Sequence, residues 1–395
     1  MKFDYASALN PTLCDIRPSG IRKFFDMLEE MKDVVSLTVG QPDFITPWHI
    51  RAAGIESLED GKTYYTSNAG TLELRLELSI YMERRFQLRY EPRSEILVTV
   101  GGSEAIDLAI RALVSEGDEV ILPVPAFVCY EPMIRMAGGI PITVTTREEN
   151  EFRLTKKELT DAITPKTKLL ILSYPNNPTG AIMSRADLEA LADVLRGTNI
   201  AVLSDEIYAE LTYGSERHVS IASLPDMQER TVVVGGFSKA YAMTGWRLGF
   251  AAAPAPILKQ MLKLHQFAVM CAPTTSQLAA IEALANGDGD IARMNEEYDR
   301  RRRYLVKRLR QMGIPCFEPK GAFYVWPNIS GFGMTSEEFC ERLLYDYGVA
   351  IVPGTAFGDC GEGFARISYA YSVSHLDTAL ERIAKMVNAL KAPKG

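Results

Sequence analysis

Asp205 and Lys239 hold the positions in this chain of 395 residues that most need a chemical explanation. Asp205 follows the apolar run Ile200–Leu203, so it is expected deep at a strand terminus, where a carboxylate is costly unless paired. A lone aspartate there would read as a helix cap or a structural ion pair. Ser238-Lys239 follows the apolar run Thr231–Val234 through Gly235-Gly236-Phe237. A lysine close to a core either snorkels to solvent, its commoner fate, or loses basicity on burial and becomes a nucleophilic amine. Small residues bracket this one, and Arg247 follows in Met243-Thr244-Gly245-Trp246-Arg247-Leu248-Gly249. A nearby cation lowers a lysine's pKa further and could also clamp a phosphate.

Two further strand ends carry unusual residues. Ser173-Tyr174-Pro175-Asn176-Asn177-Pro178-Thr179-Gly180 is rich in turn signals, whose plain reading is a tight loop. Val100-Gly101-Gly102-Ser103-Glu104-Ala105 joins a strand to a helix through two glycines. Such a turn leaves free N–H groups and a positive dipole end that suit a phosphate, although many ordinary strand-to-helix turns contain glycines.

The elements that must position these residues follow from hydrophobic patterning. Apolar runs at Ile96–Val100, Val120–Leu122, Leu169–Leu172, Ala201–Leu203, Thr231–Val234 and Leu248–Ala252 alternate with helical stretches such as Ser103–Val114 and Arg185–Leu195. Strands apolar on both faces and separated by helices imply an α/β fold around a buried, mainly parallel sheet, with ligands at the carboxyl ends of the strands. Beyond about residue 275 the pattern becomes a long helical stretch. Strands follow near Phe323–Trp326, Ala350–Val352 and Ala365–Ser368, then a helix over Ser374–Leu390, which together read as a smaller α+β domain. Near the start, Ile21, Phe24, Phe25, Leu28 and Met31 have the spacing of a short amphipathic helix. Thr71–Phe86 alternates leucine with charge like a strand, but its length, helix-forming residues and lack of Gly or Pro predict a helix.

Composition excludes whole classes. The balance of 43 Lys and Arg against 50 Asp and Glu, a net charge of −7, argues against nucleic acid or an anionic membrane as the main partner. No window reaches the ~18 apolar residues of a membrane span, and the first residues lack the apolar core of a signal peptide. Cys14, Cys129, Cys271, Cys316, Cys340 and Cys360 are widely scattered, with no ligand spacing. They read as free, mostly buried thiols with no metal, in a cytoplasmic protein.

Taken together, the segments around Gly40–Phe44, Tyr65–Gly70, Gly102, Asn177–Gly180, Ser204–Tyr208, Phe237–Lys239, Met243–Gly249 and Ala365–Tyr369 resemble the pyridoxal-phosphate aminotransferases of classes I and II, fold type I. They run in the family's order over nearly the whole chain. Finer detail is similar to the bacterial and archaeal aromatic, aspartate-type and N-acetyl-diaminopimelate enzymes. The resemblance implies pyridoxal 5′-phosphate held covalently on Lys239, which would then shuttle a proton. Asp205 would pair with the cofactor's pyridine nitrogen, Tyr208 and Asn177 would bond its phenolic oxygen, and Phe127 would stack on its ring. Gly102, Ser103 and Glu104, through backbone N–H groups, would hold the phosphate with Ser238 and Arg247. The Glu104 side chain, being like-charged, would have to point away. Tyr65 would reach the phosphate of a neighbouring subunit, implying a homodimer with shared sites. Arg366 would fork onto the substrate α-carboxylate, aided by Gly40 and Asn177.

The expected organisation is an N-terminal arm over residues 1–45, a large cofactor domain over 46–285 and a small domain over 286–395. The expected activity is amine transfer from an L-amino acid to a 2-oxo acid such as 2-oxoglutarate. A carbon–sulfur β-lyase and a cofactor-sensing transcription regulator are the competing readings. The full Met243–Gly249 match and Arg366 disfavour the first, and the acidic charge with no room for a DNA-binding domain disfavours the second. For specificity, Phe250 to Ile291 contains no arginine to hold a distal carboxylate. A pocket of Phe267, Met270 and Ile21 would favour aromatic donors, with an acylated diaminopimelate next and aspartate last. Arg22 and Lys23 are candidate polar contacts, although solvated surface charge is their commoner role.

Overall fold

The structure, a computed structural model, describes residues 3–18, 20 and 33–391. The helix expected over residues 21–31, with Ile21, Arg22 and Lys23, lies outside the described residues.

In chain order the strands are β1 (Val35–Ser36), β2 (Ile96–Thr99), β3 (Glu119–Val124), β4 (Ile140–Thr145), β5 (Thr167–Ser173) and β6 (Ala201–Asp205). They continue with β7 (Thr231–Gly236), β8 (Gly249–Ala252), β9 (Tyr324–Val325), β10 (Val349–Ala350), β11 (Val352–Pro353) and β12 (Ala365–Ser368). Seven form the main sheet, in the order β2-β8-β7-β6-β5-β3-β4. Successive strand residues point to opposite faces, and both faces are apolar. Leu97, Leu122, Ile171 and Val234 pack on one side. Ile96, Val98, Val233 and Phe250 pack on the other, as do Ile121, Leu170 and Val202 further along.

The strand directions decide where chemistry can collect. β4, β3, β5, β6 and β7 are mutually parallel. β8 runs against both β7 and β2, so β2 points the same way as β7. The residues that follow β2, β3, β5, β6 and β7 therefore emerge at one edge of the sheet.

Leu72–Phe86 is helical, as expected. The Thr71 side chain accepts from Leu74 N–H, Glu73 lies in the first turn and Arg84 and Arg85 in the last, complementing the helix dipole. Helical spacing buries Leu74, Leu78, Tyr81 and Met82 together and leaves Leu76 outside. Patterning did not reveal β4, because it is an edge strand with half-exposed alternation and Pro141, which an edge tolerates. The single strand expected over Ala350–Val352 is two: the chain leaves β1–β10 and enters the three-stranded sheet β11-β12-β9 at Ile351. β1 pairs in parallel with β10, and Leu37 packs among Phe323, Val349 and Ile367, so a segment from early in the chain shares a core with the last hundred residues. The cysteines are free, but only Cys316 and Cys340 are fully buried and Cys14 is exposed. Among the described residues no helix is long and apolar enough to cross a membrane.

Candidate active site

A cleft of about 240 Å³ opens at that edge of the sheet. It gathers Gly40, Gly102, Ser103, Phe127, Asn177, Asp205, Tyr208, Ser238, Lys239, Arg247 and Arg366. Asp205 ends β6 and is buried. Its Oδ2 accepts from the Tyr130 hydroxyl at 2.6 Å, and its Oδ1 accepts from Ile207 N–H at 3.1 Å. Burial pushes its pKa up, partly offset by those two bonds. Tyr130 in turn contacts Ser173 Oγ at the end of β5, 2.8 Å away.

Lys239 lies in the turn after β7, and its Nζ donates to Gly40 C=O at 2.6 Å. The amine sits 5.8 Å from the ring centroids of both Tyr208 and Phe323. Desolvation, then the positive fields of Arg366 and Arg247, bring its pKa down to about 8, with Asp205 pulling the other way. A lysine titrating there has a neutral, nucleophilic fraction at ordinary pH. The Tyr208 and Tyr324 hydroxyls lie 2.8 Å apart, and burial raises the pKa of both.

Arg366, on β12, is buried, and burial lowers its pKa. Its guanidinium donates to Asn177 Oδ1 at 3.0 Å and to Thr38 C=O at 2.5 Å, and lies 4.6 Å from the Tyr324 ring centroid. Its Nε has no partner, and no carboxylate of the described residues pairs with it. A buried, unsatisfied guanidinium edge suits a ligand carboxylate.

The helix Gly102–Leu113 starts at the same edge, with Gly101 as its N-cap. Gly101 has φ +80°, and a Cβ there would come within 2.7 Å of Arg247 Nη2, so the turn and the arginine are pressed together. Glu104 turns its carboxylate away from the cleft, accepting from Val100 N–H and facing His265.

Most of the anticipated site thus converges. Tyr65 does not: it is 77% exposed and off the cleft of its own chain. Phe267, 86% exposed, and Met270 likewise do not line that cleft, contrary to the expected specificity pocket, because Phe267 lies in the last turn of the helix Ala255–Ala268 facing solvent and Met270 just beyond its end. Tyr130, Ser173, Tyr324 and Thr38 belong to the cleft without having been singled out. Their only signal was a hydroxyl within or beside an apolar run.

The family model for aminotransferases of class I and II matches residues 32–383. A Bacillus subtilis (strain 168) chain named probable N-acetyl-LL-diaminopimelate aminotransferase is 47% identical over 379 residues, 96% of this chain and 95% of its own. The aspartate aminotransferase of Pyrococcus abyssi is 45% identical over 386 residues, 97% of this chain and 99% of its own. Among solved structures, the aromatic aminotransferase from Pyrococcus horikoshii has a TM-score of 0.89 at 44% identity, covering 93% of this chain and 99% of that one.

Proposed function

The chain belongs to the class I and II aminotransferases, and from that premise we propose that it moves the amine of an aromatic L-amino acid to a 2-oxo acid such as 2-oxoglutarate. It is a pyridoxal-phosphate transaminase by family, and the cleft fits that cofactor. A glycine turn pressed on Arg247 suits a phosphate, and buried Asp205 lacks a cation partner among the described residues. The observation that carries the reading is the convergence of Lys239, Asp205 and the half-satisfied Arg366 on one cleft.

When bound, the cofactor supplies an aldehyde that exchanges amines and a protonated ring that draws electrons from the substrate Cα. We assign the residues accordingly. Lys239 Nζ is the attachment amine and carries the proton to and from Cα. Asp205 accepts from the ring N–H and keeps it protonated, which gives its burial a purpose. Tyr208 and Asn177 hydrogen-bond the phenolic oxygen, and Phe127 packs on the ring. The N–H groups of Gly102, Ser103 and Glu104, with Ser238 and Arg247, hold the phosphate. Arg366 orients the substrate α-carboxylate, with Asn177 and Gly40 N–H beside it.

Tyr65 acts on a second copy's phosphate in a homodimer. Support comes from one exposed surface: Asn68 Nδ2 donates to Met270 C=O at 2.8 Å and Thr274 Oγ1 to Tyr64 C=O at 2.6 Å. These bonds bring the segment of Tyr64 and Tyr65 against that of Met270, which follows Phe267 by three residues, and all four side chains are exposed. Phe267 and Met270 would then serve the partner's pocket rather than their own. We divide the chain into an arm over 1–45, a large domain over 46–285 and a small domain over 286–395.

The aromatic preference rests on charge. Among the described residues, the cations lining the cleft are Lys239, Arg247 and Arg366, and each already has an assigned role. A distal carboxylate has no partner among these three and is costly to bury, which disfavours aspartate as donor. We assign the distal carboxylate of 2-oxoglutarate to a polar contact beyond them, with Arg22 and Lys23 as the candidates. An N-acyl-diaminopimelate is the second reading, favoured by the 47% identity to the chain of that name. Ranking kcat/KM for amino donors with 2-oxoglutarate tests both: tyrosine or phenylalanine should lead, and aspartate clearly first would refute the reading.

A further inference from the structure

Glu104 is an acid in the first turn of the helix Gly102–Leu113, the turn we assign to the phosphate. The field that favours a phosphate there also favours the helix's own carboxylate, which from the third helical position ordinarily folds back over the N-terminus. Here it folds back to the residue before the N-cap, and its second oxygen is held by another helix. Oε2 accepts from Val100 N–H at 2.5 Å, and Oε1 lies 2.8 Å from His265 Nδ1. A carboxylate only accepts, so Nδ1 carries the hydrogen.

His265 lies on another helix, Ala255–Ala268, and is completely buried, with a relative exposure of 0%. Its Nε2 has no partner. An imidazole buried with one nitrogen unsatisfied is less stable than an apolar side chain would be at such a place. What it contributes in return is the bond to Glu104. The geometry around that bond is tight: Val100, held by Glu104, leads into Gly101, which is packed between Arg247 and Gly249. A Cβ on Gly249 would approach Gly101 C to 2.5 Å, so displacement of this turn has little room.

We infer that His265 is a positioning residue: by binding Glu104 Oε1 it keeps that carboxylate on Val100 N–H, so the charge braces the turn instead of repelling the cofactor phosphate. The inference rests on the reading of Gly102–Glu104 as the phosphate site. Without His265, rotation of Glu104 would release Val100 and bring a negative charge towards the phosphate.

The test is titration of apoenzymes with pyridoxal 5′-phosphate and with pyridoxal, which lacks the phosphate, followed by absorbance. His265→Leu should weaken binding of the phosphorylated ligand by about tenfold or more, the usual scale for a charge-assisted hydrogen bond, and leave pyridoxal unchanged. Adding Glu104→Gln should recover most of that loss, because the amide oxygen still accepts from Val100 N–H and carries no charge. His265→Phe, closer in shape, carries the same expectation, and thermal melts of each apoenzyme accompany the titrations. Equal weakening of both ligands, no weakening, or no recovery in the double variant would overturn the role of His265. A wild-type protein that binds both ligands alike would instead refute the phosphate assignment itself.

Discussion

Replacing Lys239 by methionine should make the cofactor-free protein more stable at neutral pH. The amine titrates near 8, against 10.5 for an ordinary lysine. That gap of about 2.5 units, at about 1.36 kcal/mol each, is up to about 3 kcal/mol of destabilisation when the lysine must stay protonated in the fold. The pH window follows from the sign. Below pH 8 both folded and unfolded chains hold the proton, so the whole cost is present. Between 8 and 10.5 the unfolded chain binds a proton that the folded chain has released, so wild-type stability rises with pH relative to the variant. Above 10.5 both are neutral and the charge cost is gone. Methionine matches the stem in length and removes the charge, leaving the Gly40 carbonyl without its donor. Urea midpoints of stripped wild type and Lys239→Met, at one protein concentration from pH 6 to 10.5, measure this. A difference that does not change with pH, or a more stable wild type at pH 6–7, would refute the reasoning.

Asp205→Asn should lower turnover by roughly a hundredfold or more while cofactor affinity changes far less, since the loss is of electrostatic stabilisation during reaction; near-normal turnover would remove Asp205 from that role. Mixing Tyr65→Phe chains with Arg247→Ala chains should restore activity through dimers that keep one intact site. Failure to restore it, with subunit exchange verified, would place each site within one chain. His49 bridges Glu282 at 2.6 Å and Asp290 at 2.9 Å; burial pulls its pKa down, but the two carboxylates win and raise it. Its contribution is therefore full below pH 6.5 and lost as pH rises through the raised value, so His49→Gln should cost about 1 kcal/mol or less at pH 6 and less still at pH 8.5, read from paired urea midpoints.

How much of this was legible in sequence differs by cause. Strand ends β6 and β7 could be read because Asp205 and Lys239 each lie shortly after an apolar run and keep company with Arg247, Asn177 and the Gly102 turn at neighbouring strand ends, although each alone has an ordinary structural explanation. The helix Leu72–Phe86 could be read from propensity against an opposing alternation, since fifteen residues without Gly or Pro exceed an ordinary strand. Tyr130 escaped because its role depends on a 2.6 Å contact between the helix Tyr130–Met136 and the end of β6, 75 residues apart. Tyr324 escaped likewise: within β9 it is one more apolar-run aromatic until Tyr208 and Arg366 are placed beside it. The break at Ile351 was invisible because both halves are equally apolar, and only their partners differ.

The three buried charges of the cleft are held apart by polar intermediaries. Asp205 takes a tyrosine hydroxyl and a backbone N–H, Lys239 a backbone carbonyl, and Arg366 an amide oxygen and a backbone carbonyl. No salt bridge joins them to one another or to another described residue. Pairing Asp205 with either cation would recover part of the desolvation cost, so their separation leaves the protein less stable than it could be. The opposite displacements of Asp205, raised, and Lys239, lowered, record that cost. A ligand that brings a ring N–H to Asp205, a reactive carbonyl to Lys239 and a carboxylate to Arg366 relieves all three at once. Such a cleft binds by completing its own electrostatics, and binding stabilises the fold by mass action. The same separation keeps Lys239 from being captured by Asp205, which is what the proton transfer we propose for its amine would require.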